Sequence, residues 1–222
     1  RMLLEVKKGK LINLVSAATR SHWEDELIPV RITIMKGILG YRVFLIHKDD
    51  QLKFKTLETL SDLKNLYAGL GTRWSITKTF KENGFNITTH LNYELLFKML
   101  ANKRFDYFPR GINEIFDEYE ARKKICPELK IEETKALYLP LPIYFFVSPK
   151  NPKLAERIES GLIQMLEDGS FDEFFLKNYQ TIIEKSGLNN RKIFMIENNT
   201  LSSKTPLNQK RLWWRLDNKL EN

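Results

Sequence analysis

Cysteine is all but missing from this chain. Cys126 stands alone among 222 residues, which excludes an internal disulfide and any metal centre built on several thiolates. Histidine is nearly as scarce: His22, His47 and His90 lack metal-ligand spacing, and Cys126 has no base beside it in sequence to mark it as a nucleophile. No apolar run approaches the roughly eighteen residues that a membrane span needs, and no basic start followed by an apolar core marks a signal peptide. The Gly-x-Ser-x-Gly elbow, the Walker loop and the His-Glu-x-x-His helix are all missing. Gly69-Leu70-Gly71 opens like a dinucleotide fingerprint, but Trp74 stands where the third glycine belongs. No internal repeat or low-complexity tract is visible, and nothing calls for a metal or a cofactor.

What is present is the material of a folded protein. Apolar residues make up 42% and aromatics 12% of the chain, enough to build real cores in one large domain or two small lobes. The net charge of +8 would suit nucleic acid, an anionic membrane surface or an anionic small ligand. Its distribution argues against the first. The basic residues are spread along the whole chain, and the densest group, Arg122-Lys123-Lys124, sits at a helix end where cations favour the macrodipole. No basic segment interleaved with exposed aromatics matches a nucleic-acid module. The chain begins at Arg1 rather than a methionine, consistent with a removed leader or a longer parent.

In chain order, residues 2–8 read as a helix capped by Gly9, and residues 11–18 as a buried strand leading into the polar turn Thr19-Arg20-Ser21-His22. Residues 41–47 form an apolar strand, and the polar stretch 48–55 reads as a loop or linker. Residues 66–70 are strand-like, followed by Gly71-Thr72-Arg73-Trp74 and an amphipathic helix that ends at Asn83-Gly84. Residues 85–88 alternate as a strand would. Tyr93, Leu96, Phe97 and Leu100 then recur at the spacing of a helix packed on a sheet. This βαβαβ run with short connections implies an α/β fold with mostly parallel sheets flanked by helices. Further on, Pro140 and Pro142 favour an extended entry to a strand at Ile143. Leu154, Ile158, Leu162 and Leu166 form a helical stripe, and Ser170 with Glu173 resembles a capping box.

The stretch Arg104-Phe105-Asp106-Tyr107-Phe108-Pro109-Arg110-Gly111 organises the middle of the chain. Pro109 cannot donate to a ladder, so the strand is expected to stop before it and leave Arg110 and Gly111 free. Strand ends of this kind are where open α/β sheets bind ligands. Arg110 has Glu114 four residues on as an alternative ion-pair partner. Asp117, Glu118 and Glu120 read as a solvated helix face. The tail Leu212-Trp213-Trp214 would be a sticky patch if left exposed, so it is expected to pack back or to dock on a partner.

Several of these segments, taken together, carry a resemblance. A Gly-rich turn after Thr59-Leu60-Ser61-Asp62-Leu63-Lys64, the segment 100–106, the strand Tyr144-Phe145-Phe146-Val147 and the helical tail 154–179 look like the family 3 extracellular solute-binding proteins. That resemblance implies a two-lobed periplasmic-binding-protein-like fold lacking the N-terminal part of lobe one. Lobe one would comprise residues 1–62 and 146–222, and lobe two residues 63–145. The segments 41–46 and 142–147 would serve as hinge crossings.

The resemblance also implies a monomer that binds a small-molecule solute in an interlobe cleft without altering it. It would be periplasmic or otherwise extracytoplasmic, working with a membrane transporter or membrane-bound receptor in uptake or sensing, with no role for nucleic acid. Carried over by position, the ligand-binding residues would be Thr19, His22, Gly71, Thr72, Arg73, Trp74, Arg110 and Gly111. His22 stands where the family has a carboxylate-gripping arginine. Arg110-Gly111 fall where the family has the aspartate that holds an ammonium. An arginine there invites an oxyanion, so the expected solute is anionic or neutral. The competing reading is an enzyme or nucleic-acid-binding domain on a doubly wound α/β sheet.

Overall fold

The computed structural model describes residues 2–216. Its helices and strands follow in chain order as α1 (Met2–Lys8), β1 (Leu14–Ala18), α2 (Ser21–Glu26), β2 (Ile28–Val30), β3 (Tyr41–His47), α3 (Gln51–Lys55), α4 (Leu60–Lys64), β4 (Tyr67–Gly71) and α5 (Ser75–Glu82). After these come β5 (Asn86–His90), α6 (Tyr93–Ala101), β6 (Tyr107–Gly111), α7 (Ile115–Arg122), β7 (Leu129–Ile131), β8 (Lys135–Tyr138), β9 (Ile143–Val147), α8 (Pro152–Glu167), α9 (Ser170–Ser186) and β10 (Lys192–Met195). The chain divides into two compact units. The first takes the chain to Ile38, then Pro140–Gln180 and Thr200–Arg215; the second takes Leu39–Leu139 and Thr181–Asn199, with Leu216.

The first unit is built on a three-stranded antiparallel sheet with β9 between β1 and β2. Side chains alternate across a strand, so β9 feeds two cores. Tyr144 and Phe146 join Val6, Trp23 and Leu27 on one face, where Trp23 meets Phe146 edge-on at 5.5 Å. Val147 joins Val30 and Ala155 on the other, against Leu154, Ile158 and Leu162 of α8. A third cluster brings the tail back: Leu212 and Trp213 are buried with Ile32 and Phe171. The apolar tail therefore packs on its own unit, and its seat is shaped for it. Gly37 has φ +72, and a Cβ there would lie 2.5 Å from the Trp213 ring.

The second unit holds a seven-stranded mixed sheet in the order β10-β8-β3-β6-β4-β5, with β7 also pairing β3. The expected βαβαβ run is β4-α5-β5-α6-β6, with β4 parallel to both β5 and β6. All seven residues of β3 are buried, because β3 is flanked by β6 on one side and by β7 and β8 on the other. That explains why its sequence is an apolar run rather than an alternation.

Several local expectations need correction. Residues 11–18 do not form a buried strand: β1 starts at Leu14, lies at a sheet edge, and leaves Leu11 83% exposed. The polar stretch 48–55 is not a linker, since α3 forms within it and buries Phe54 against Phe44 and Tyr107. The segments 41–46 and 142–147 are central strands of their sheets rather than crossings. Chain passage between the units falls instead at Ile38–Leu39, Leu139–Pro140, Gln180–Thr181, Asn199–Thr200 and Arg215–Leu216, and β3 lies wholly within the second unit because it is paired along its length with β6.

The strand at Pro109 also continues. β6 runs through Pro109 to Gly111, with Arg110 opposite Val43 and Gly111 opposite Arg42. The physical reason lies in the ladder. The Ile112 N–H donates to Tyr41 O, and donation alternates along an antiparallel pair, so the Pro109 nitrogen faces away from β3. On that other side the pairing with β4 is confined to Ala68 and Tyr107, so the proline withholds no bond that the sheet needs.

Candidate functional site

Gly71 and Trp74 are brought against Arg110 by a tight strand-to-helix turn. The Trp74 N–H donates to Gly71 O at 3.0 Å, the Thr72 N–H donates to His90 O at 3.1 Å, and the Thr77 hydroxyl donates to Gly71 O at 2.8 Å. Trp74, not Thr72, is the residue at the N-cap of α5, and no side chain caps that helix end. Thr72 and Arg73 are exposed. A Cβ on Gly71 would come within 2.4 Å of the indole, so glycine is what lets the ring lie down over the strand end.

Four aromatic rings and one guanidinium make up the wall behind that turn. The Trp74 indole stacks on Phe108 at 5.7 Å with an interplanar angle of 11°. Phe97 meets Phe108 edge-on at 5.1 Å, and Tyr93 meets Phe97 edge-on at 5.1 Å. Phe108 and Arg110 are two apart on β6 and so share a face. The Arg110 guanidinium carbon lies 4.5 Å from the Trp74 ring centroid, 5.1 Å from Phe108 and 5.6 Å from Tyr93, within cation–π range of all three.

Two of the three Arg110 guanidinium nitrogens are already engaged. Nε donates to Glu118 Oε2 at 2.6 Å and Nη2 to Glu118 Oε1 at 2.5 Å, and Nη2 lies 3.2 Å from Glu114 Oε2. The Tyr93 hydroxyl donates to the same Glu118 Oε1 at 2.5 Å. Burial by itself lowers the Arg110 pKa, but the Glu118 hydrogen bonds and the charges of Glu114 and Glu118 outweigh it and raise the value. Glu114 also accepts from the Gly111 N–H at 3.1 Å and from Arg42 Nη1 at 3.4 Å. Arg42 is buried deeply enough that its pKa falls to about 10, against the pull of Glu114. Two arginines thus face two carboxylates, and the wall is close to neutral.

The expectation of a solvated face on α7 fails at Glu118. Its side chain is 14% exposed, whereas Asp117 and Glu120 are exposed. The missed signal was positional: Glu118 and Arg122 stand three and seven residues after the buried Ile115, on one helix face. Arg122 repeats the arrangement one layer out, 4.0 Å from the Phe97 centroid and forked onto Glu94 at 3.0 and 2.5 Å.

Thr19 and His22 belong to the first unit. Thr19 is buried, its hydroxyl donating to Glu24 Oε1 at 2.5 Å and its N–H to Pro142 O at 3.1 Å. Glu24 also accepts from Arg31 at 2.8 and 3.2 Å. His22 is exposed on the short helix α2. Among the described residues, no group of three or more His, Cys, Asp or Glu side chains is placed to hold a metal ion. No described helix is long and apolar enough to cross a membrane.

No family model matches the sequence, and no curated protein matches it. Solved structures do match the fold. An ancestral arginine-binding protein bound to arginine superposes with a TM-score of 0.54 at 16% identity, over 80% of this chain and 75% of that one. An ancestral arginine-binding protein bound to glutamine gives 0.53 at 18% identity, over 79% and 74%. The periplasmic binding protein of an arginine transport system from Legionella pneumophila gives 0.53 at 14% identity, over 79% and 76%. With β4-α5-β5-α6-β6 in the second unit and the β1-β9-β2 sheet in the first, this chain has the periplasmic-binding-protein fold.

Proposed function

We propose that the protein binds a small polar solute, neutral or anionic, without altering it, and that the solute rests against the Trp74 face. The observation that carries this reading is the Trp74 turn itself: a half-buried indole is held flat at the ends of β4 and β6, beside the uncapped N-terminus of α5. An aromatic face offers stacking area, and the first-turn N–H groups of a helix suit a carboxylate. Support comes also from the similarly folded ancestral arginine-binding protein, which is seen bound to arginine and to glutamine. Since Arg110 is already forked onto Glu118, its part is to hold the indole from behind rather than to grip the solute. A membrane transporter or receptor outside the cytoplasm is the partner class this role calls for, in uptake or in sensing.

Calorimetry against amino acids, dicarboxylates and sugar acids tests the proposal. A ligand that binds the unmutated protein is expected to lose about tenfold or more in affinity with Trp74→Ala, and to be recovered chemically unchanged. Undiminished affinity in Trp74→Ala would move the solute off this wall, and conversion of the ligand would favour an enzyme instead.

A further inference from the structure

The first unit contains a cavity that the solute wall does not use. It measures about 310 Å³ and lies between α8 and the returning tail. Ile32, Leu166 and Leu212 line it with apolar surface, and Ile163, 36% exposed, stands at its rim. The tail is held in place beside it by one bond within itself and two to Lys36. Trp213 Nε1 donates to Pro206 O at 2.9 Å, the Trp214 N–H to Lys36 O at 2.7 Å, and Lys36 Nζ to Arg211 O at 2.8 Å.

The charged lining is unbalanced. Arg31 reaches the cavity, but its Nε and Nη2 are bound to Glu24, so its charge is answered. Lys204, Arg211 and Glu159 also line the cavity, and none of the three makes an ion pair among the described residues. One net positive charge is left beside an apolar floor. We propose that this cavity is a second small-molecule site, for a monoanion with an aliphatic body. Charge complementarity selects the monoanion over a cation or a dianion, and the apolar floor selects hydrocarbon over sugar. At about 30 Å³ per water-sized group, the volume holds roughly ten heavy atoms.

Octanoate has about that size and serves as the probe, with octylamine as its cationic counterpart. Calorimetry on the full chain is expected to show octanoate binding below about 1 mM and octylamine not binding. Arg211→Glu and Lys204→Glu, both at exposed positions, should each weaken octanoate about tenfold. Ile163→Trp, which plugs the mouth from an exposed rim position, should abolish binding while circular dichroism stays that of the parent. Absence of octanoate binding to the parent would overturn the proposal. So would octylamine binding as well as octanoate, or full binding by a folded Ile163→Trp.

Discussion

Removing Glu118 should unbalance the interior of the second unit. Its carboxylate is the main partner of a guanidinium whose side chain is only 7% exposed, and Glu118→Leu would strand that charge. Breaking a buried pair from one side costs about 3–5 kcal/mol, and the lower end applies here because a second carboxylate remains. That survivor, Glu114, is 3.2 Å away and 33% exposed, and it already serves Arg42 and the Gly111 N–H. The Tyr93 hydroxyl loses its acceptor as well, adding about 1 kcal/mol. The expected loss is therefore about 3–4 kcal/mol in urea unfolding followed by circular dichroism. The companion variant Arg110→Met with Glu118→Leu removes both charges and keeps apolar volume, and should return to within about 1 kcal/mol of the parent. A single-variant cost under about 1 kcal/mol, or a double variant as damaged as its parts combined, would refute the buried-pair account.

Two further outcomes follow from other elements. Trp213→Ala should destabilise the first unit by about 3–5 kcal/mol, since the indole is 5% exposed in the cluster with Ile32, Phe171 and Leu212; thermal melts of variant and parent check this. Asp62 accepts the N–H groups of Thr59 and Glu58 at the start of α4, which holds its pKa below the usual aspartate value of 3.8. The unfolded chain then binds the proton more readily, so this contribution is present above pH 3.8 and fades as pH falls through the lower folded value. Asp62→Asn should therefore lower stability at neutral pH and converge on the parent as pH falls through that acid window; a variant equal to the parent at neutral pH with an unaltered acid limb would count against the capping interaction.

Much of the architecture was legible because local rules and tertiary context agreed. Tyr41–His47 is mostly apolar, with Val43, Phe44, Leu45 and Ile46 in an unbroken run, and proved to be a strand flanked on both sides. The α6 stripe of Leu96, Phe97 and Leu100 is buried as its spacing required. Pro109 misled because the rule that proline ends a strand assumes a partner on both sides, and here β4 has already parted from β6. Residues 48–55 are polar in sequence, yet Phe54 alone is enough to seat α3. At the site, the turn Gly71-Thr72-Arg73-Trp74 and the strand end Arg110-Gly111 were found as separate signals, and the fold joins them through the Trp74 ring. What the sequence could not display was charge pairing across a loop: Glu118 is eight residues from Arg110 and becomes its partner only once α7 lies on the sheet.

The seat of Trp213 also sets an order of events during synthesis. The ribosome delivers residues 39–139 as one uninterrupted segment, and these alone contain β3 to β8 of the larger sheet. The other unit must wait. Val6 and Val30 meet Tyr144, Phe146 and Val147 only when β9 emerges, and Ile32 meets Leu212 and Trp213 later still, so a nascent chain that has already made α1, β1 and β2 carries apolar faces unsatisfied for over a hundred further residues. Sequence-distant contacts close late and leave such surfaces open to aggregation or chaperone capture. A translation pause or premature stop shortly before residue 212 would thus release a molecule with one finished half and one sticky half.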